Sequence, residues 1–175
     1  MSRLLALARG LPGHPSHPPL TDVSIGAYTV GTALLVLAAL GVDEPSLSRA
    51  GLLAISGGLL MATPTALTGL LDWLAMPAGS SVRRTATYHL FVMAGATVVF
   101  ALAWLLQRPG YHAGDVRTGG WIAALLAEGL LTAGGYLGGT IVFVHGHRVL
   151  GGPQAPPERA LRPSADPTLT QATHE

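Results

Sequence analysis

The sequence predicts an all-α protein, a four-helix transmembrane bundle of up-down topology followed by a disordered C-terminal tail. Three observations carry that reading. Hydrophobic residues make up 49% of the 175 and charged residues only 11%, against about 25% charged in a typical soluble domain. The apolar residues gather into four runs, each too long for a strand and too evenly apolar for a half-exposed soluble helix. Short polar turns separate the runs, which makes consecutive helices antiparallel neighbours.

Residues 1–21 read as a cytoplasmic interfacial segment. Its opening, MSRLLALARG, has an apolar core too short for a signal peptide, which needs roughly 7–15 apolar residues, and a short interfacial helix is expected there. The segment closes on a His-Pro motif, Gly13-His14-Pro15-Ser16-His17-Pro18-Pro19. The transmembrane domain is expected over residues 22–150. Its first span, about 22–40, has the minimum length for a hydrocarbon core roughly 30 Å thick. Asp43-Glu44-Pro45-Ser46 ends it. The second, about 50–76, can cross with tilt and contains Thr63-Pro64-Thr65. Proline removes a backbone donor there and should kink the helix, and the threonine hydroxyls are expected to take up the freed carbonyl. The third span, about 85–107, stops at Arg108-Pro109-Gly110, and the fourth covers about 120–145. Gly151-Gly152-Pro153 then opens a proline-rich tail of little apolar content, residues 151–175, read as disordered.

Charge and cysteine usage narrow the function. A net charge of +1 argues against nucleic-acid binding by phosphate neutralisation. The absence of cysteine excludes disulfides, thiolate metal sites, cysteine nucleophiles and cysteine-ligated clusters. The short hydrolytic signatures G-x-S-x-G and H-E-x-x-H and the P-loop are missing as well. The chain has no lysine, so its ten arginines set the orientation. Arg3, Arg9, Arg83, Arg84, Arg148, Arg159 and Arg162 fall on one side, and Arg49, Arg108 and Arg117 on the other. The richer side is expected to be cytoplasmic, with both termini there.

That topology gathers polar groups at one end of the bundle. His14 and His17 precede the first span, Asp72 closes the second, His89 opens the third, and His145 and His147 close the fourth. At 100° per residue His145 lies within about 20° of Gly134 and Gly138, a small-xxx-small stripe that should turn it toward a neighbouring helix. His89 and His145, on different helices at one depth, are the favoured cofactor pair, suited to a b-type haem in an apolar slot. Alternatively His14 or His17, together with His89, His145 and Asp72, would hold a transition metal. Both His14 and His17 precede proline and are expected in extended backbone, which would set their rings roughly 9 Å apart. That is too far for one ion, so only one of them should be a ligand. Plainer roles are headgroup anchoring for the two histidines and pairing of Asp72 with Arg83 or Arg84. Glu128, an acid inside the fourth span, is a candidate proton relay or a partner of Thr132.

The motif Gly13-His14-Pro15-Ser16-His17-Pro18-Pro19-Leu20-Thr21-Asp22-Val23-Ser24-Ile25-Gly26-Ala27 is followed by Ala66-Leu67-Thr68-Gly69-Leu70-Leu71-Asp72-Trp73 and by Arg84 with His89. Gly135-Tyr136-Leu137-Gly138-Gly139 and His145-Gly146 complete the series. In that order these motifs resemble the small bacterial membrane family catalogued as domain of unknown function 2231, over about residues 11–150. Ser24-Ile25-Gly26 stands where the family has proline-isoleucine-glycine, and the acidic residue expected late in the first helix is absent. The resemblance implies a multi-pass protein of the bacterial inner membrane. Relatives linked to Rieske iron–sulfur domains imply electron transfer with a redox protein partner, although a cysteine-free chain carries no Rieske module itself. The leading expectation is therefore a haem- or metal-binding redox module, an electron-transfer component and not an enzyme. The alternatives are a non-catalytic scaffold that oligomerises through its glycine stripes and docks a partner, and proton or small-solute transport through Glu128.

Overall fold

In the computed structural model the described residues are 7–11, 13–150, 158 and 161. The expected disordered tail lies outside them, as does the expected opening helix apart from Leu7 and Ala8. A two-stranded antiparallel hairpin, β1 (Gly10–Leu11) and β2 (His14–Pro15), precedes four helices: α1 (His17–Ala39), α2 (Glu44–Ala75), α3 (Ser81–Gln107) and α4 (Thr118–Gly139). A 3₁₀ turn, Arg108–Gly110, follows α3, and a π-helical segment, Thr140–Val144, extends α4. Among the described residues these four helices are long and apolar enough to cross a membrane, and they run up and down.

Every helix starts before its apolar run does. Pro18 and Pro19 sit in the first turn of α1 and Pro45 in that of α2, where a helix has no use for the missing N–H and a fixed φ assists initiation. His17 is consequently helical, not extended; only His14 adopts the extended backbone expected of both. The Ser80 hydroxyl accepts from Arg83 N at 3.2 Å and caps α3. Pro64 lies inside a continuous α2. The nearby hydroxyls do not take up the carbonyl of Leu60, which Pro64 leaves without its donor: Thr65 bonds Met61 O, and Thr68 reaches Pro64 O and Thr65 O.

Within the bundle α1 lies along α2 and α3 along α4, while the two pairs meet over less of their length. Small residues bring α1 and α2 together. A Cβ on Gly51 would sit 2.8 Å from Leu35 and 3.0 Å from Gly31 O. Between the pairs, the Tyr28 and Phe100 rings stack at 4.0 Å and 2°, and Trp104 Nε1 donates to Ser56 Oγ at 2.8 Å. Around this contact lies the core of Leu35, Ile55, Ala96, Ala103, Ala124, Ala127 and Leu131. The end beyond the core is sealed by polar groups. Fully buried Gln107 donates to Asp115 O and accepts from Arg117 N, Ser48 donates to Gly114 O, and Arg49 reaches the carbonyls of Tyr111 and His112.

Replacing Gly51 by valine should force α1 and α2 apart and cost about 1–3 kcal/mol, as overpacking does. A Cβ on Gly57, in the same helix, would meet nothing within 4 Å. Thermal unfolding in detergent should show a lowered midpoint for Gly51→Val and an unchanged one for Gly57→Val.

Candidate functional site

Between the two helix pairs lies a cavity of about 1280 Å³, lined by residues of all four helices. His17, Asp72, His89 and His147 all line it, at the end where α1 begins and α2 closes.

His17 reaches across from α1 to α2. Its Nδ1 lies 3.0 Å from Thr65 O, and because a carbonyl only accepts, that nitrogen carries the ring proton. Nε2 is left with a lone pair; its polar neighbour, Thr21 Oγ1 at 3.5 Å, gives its own hydrogen to His17 O at 2.8 Å. His89 repeats the arrangement between α3 and α4, with Nδ1 2.9 Å from Gly134 O. Glycines make room for both rings. A Cβ on Gly69 would lie 2.7 Å from His17 Cε1, and one on Gly138 would lie 3.2 Å from His89 Cε1. The two rings face one another with centroids 6.4 Å apart and planes at 89°.

The ring that lies beside His89 is thus that of His17, while the expected partner His145 is placed elsewhere. The π-helical segment shifts the register of α4 beyond Thr140, so His145 no longer follows the Gly134/Gly138 stripe. It still faces α3, where Nε2 lies 3.0 Å from Thr85 Oγ1, one turn before His89. His14 is exposed in the hairpin. Among the described residues no three histidine, aspartate or glutamate side chains converge as a metal-ligand set. The set of His14 or His17 with His89, His145 and Asp72 is not gathered at one point, and Asp72 is held by two arginines.

Asp72 Oδ1 accepts from Arg9 Nε at 2.8 Å and from Arg148 at 2.7 Å, all three side chains being largely buried. The same Arg148 nitrogen donates to Arg9 O at 2.7 Å, and its second terminal nitrogen donates to Gly10 O at 3.2 Å. Of the anticipated partners, Arg83 is occupied otherwise: it lies 4.3 Å over the Trp73 ring and donates to Met76 O. Arg9 and Arg148 escaped the sequence reading because they lie 63 and 76 residues from Asp72. Their only sequence signal was membership of the arginine-rich side.

Glu128 sits in the seam between α1 and α4 and is not among the residues lining the cavity. Thr29 donates to its Oε1 at 2.9 Å, Oε2 is buried without a partner among the described residues, and Thr132 bonds the Glu128 backbone carbonyl, not the carboxyl. Gly134 and Gly138 are taken up by Met93 and His89 of the same chain, so that stripe is not free for a second copy.

The family model described as "Predicted membrane protein (DUF2231)" matches residues 13–151. The chain belongs to that family. No curated protein and no solved structure matches it. The DUF2231 match takes in the hairpin from Gly13, all four helices and the segment through Arg148, and so every residue of the site except Arg9.

Burial pushes the His147 imidazole below its usual range; Asp72 pulls it back up, and Arg148 and Arg9 push it further down. Above about pH 6.5 the ring is neutral in both folded and unfolded chains and costs nothing. Below that, the unfolded chain takes up the proton first, so stability falls as the pH drops toward the folded value. His147→Gln should flatten part of the decline in thermal midpoint from about pH 6.5 to 5. A decline equally steep in the variant would show that this ring does not contribute to it.

Proposed function

We propose that this DUF2231 protein is a haem-holding electron-transfer module, with a b-type haem between His17 and His89. The observation that carries the reading is the facing pair of imidazoles. His17 from α1 and His89 from α3 would supply the nitrogens that hold the group, their ring centroids lying 6.4 Å apart beside the cavity that both residues line. Each ring gives its Nδ1–H to a backbone carbonyl, the support that fixes the tautomer and turns Nε2 toward a metal. The cavity lies between two helix pairs and has room for a macrocycle.

Bound there, haem would supply one-electron chemistry. The chain's own part is to hold the two ligands, keep water from the apolar slot and present its arginine-rich end to the aqueous phase. We place that end toward the cytoplasm of a bacterial inner membrane, where a redox protein partner would reach it.

Protein purified from a haem-sufficient bacterial host should show a Soret band and about one haem per chain in the pyridine haemochrome assay. His17→Ala and His89→Ala should each abolish the band, and His145→Ala should retain it. A colourless wild type, or a band that survives both His17→Ala and His89→Ala, would overturn the assignment.

A further inference from the structure

The mouth of the cavity is roofed by two segments that flank the helical bundle. Gly13, His14 and Pro15 of the hairpin line it from one side, and Arg148, Val149 and Leu150 after α4 line it from the other. Neither segment packs into the helical core. What joins them is the buried carboxylate of Asp72, near the end of α2, which holds Arg9 on the hairpin side and Arg148 on the other. Arg148 also bridges the segments directly through Arg9 O and Gly10 O.

Arg148 makes these contacts from a left-handed backbone, φ +60°, which costs a non-glycine residue free energy and persists only when its surroundings hold it there. Here the surroundings are the ion pairs themselves. Both strap segments are short and lie outside the helical core clusters, the condition in which a region opens locally while the rest of a protein stays folded. A buried carboxylate between two guanidiniums is closed while all three partners are present and is strongly weakened by loss of any one.

We propose that the Arg9–Asp72–Arg148 cluster is a latch: it clips the hairpin and the segment after α4 over the mouth, and its release opens the cavity to the aqueous phase on the arginine-rich side. The latch rests on the reading of the cavity as a ligand site and gives that site its route of loading.

Absence of cysteine in the chain allows a direct test. Ser24, buried, lines the cavity and contacts Thr65 Oγ1 at 3.2 Å. Ser24→Cys, from a haem-depleted host and placed in lipid nanodiscs, is exposed to a charged, water-soluble methanethiosulfonate reagent. Labelling should be slow in that background and at least about tenfold faster once Asp72→Asn is added, since the two guanidiniums have lost the carboxylate that holds them. Arg148→Gly provides the second variant. It removes the clip while relieving the left-handed strain, so it should speed labelling with helix content by circular dichroism unchanged. Fast labelling in Ser24→Cys alone, or a parental rate in a folded Arg148→Gly variant, overturns the latch. Because the rates are read without haem, they test the latch separately from the haem assignment.

Discussion

Close approach of backbones within each helix pair is the constraint on which the rest of the structure depends. In a bilayer no hydrophobic force drives helices together, so association rests on dispersion and on small residues that let backbones draw near. Gly31, Gly51 and Gly58 do this between α1 and α2, and Ala96, Ala103, Ala123, Ala127 and Gly134 do it between α3 and α4. The pairs themselves meet through large rings, Tyr28 on Phe100 and Trp104 toward Ser56. Where those rings lie the bundle is filled. Nearer the arginine-rich end α2 and α3 meet again, Trp73 Nε1 donating to Thr87 Oγ1 at 3.0 Å, and the cavity is lined from Tyr28 at one contact to Trp73 at the other.

A polar ring inside such a bundle is expensive unless it is hydrogen-bonded. His17 and His89 meet that demand with one nitrogen each, through carbonyls of the adjacent helix. Satisfying one nitrogen fixes where the proton sits and leaves the other as a lone pair. The glycines beside them, Gly69 and Gly138, are part of the same solution, since a methyl group at Gly69 would meet the His17 ring at 2.7 Å. The arrangement is thus built twice, once in each helix pair, with the two rings 6.4 Å apart and perpendicular.

Much of this was legible in the sequence. Four apolar runs with short polar turns gave the topology, and the topology brought histidines, Asp72 and arginines to one end. The helices begin earlier than the apolar runs because apolarity marks burial in lipid, whereas the first turn of a helix is polar or proline-bearing, as at Pro18, Pro45 and Ser80. That His17 and not His145 lies beside His89 escaped the sequence for a different reason. Angular arithmetic along α4 assumes 3.6 residues per turn, and the π-helical segment Thr140–Val144 breaks that assumption just before His145. Nothing local in the sequence marks that segment. The partners of Asp72 were hidden because Arg83 and Arg84 are close in sequence while Arg9 and Arg148 are close only in the fold.

The ligand seat and the latch share one stretch of helix. Thr65, Gly69 and Asp72 follow one another at i, i+4 and i+7 along a single face of α2. The first offers His17 its carbonyl, the second leaves space for its ring, and the third holds the arginines. Immediately before this stretch Pro64 deletes one rung of the α2 hydrogen-bond ladder. The last turns of α2 are therefore tied less firmly to the rest of the helix than an unbroken ladder would tie them. His17 is anchored to those turns at one side and the two strap segments at the other. Under the proposed readings, movement of the straps against Asp72 would reach the carbonyl that sets the His17 ring, and a ligand that pulls on His17 would reach the latch, through two turns of α2.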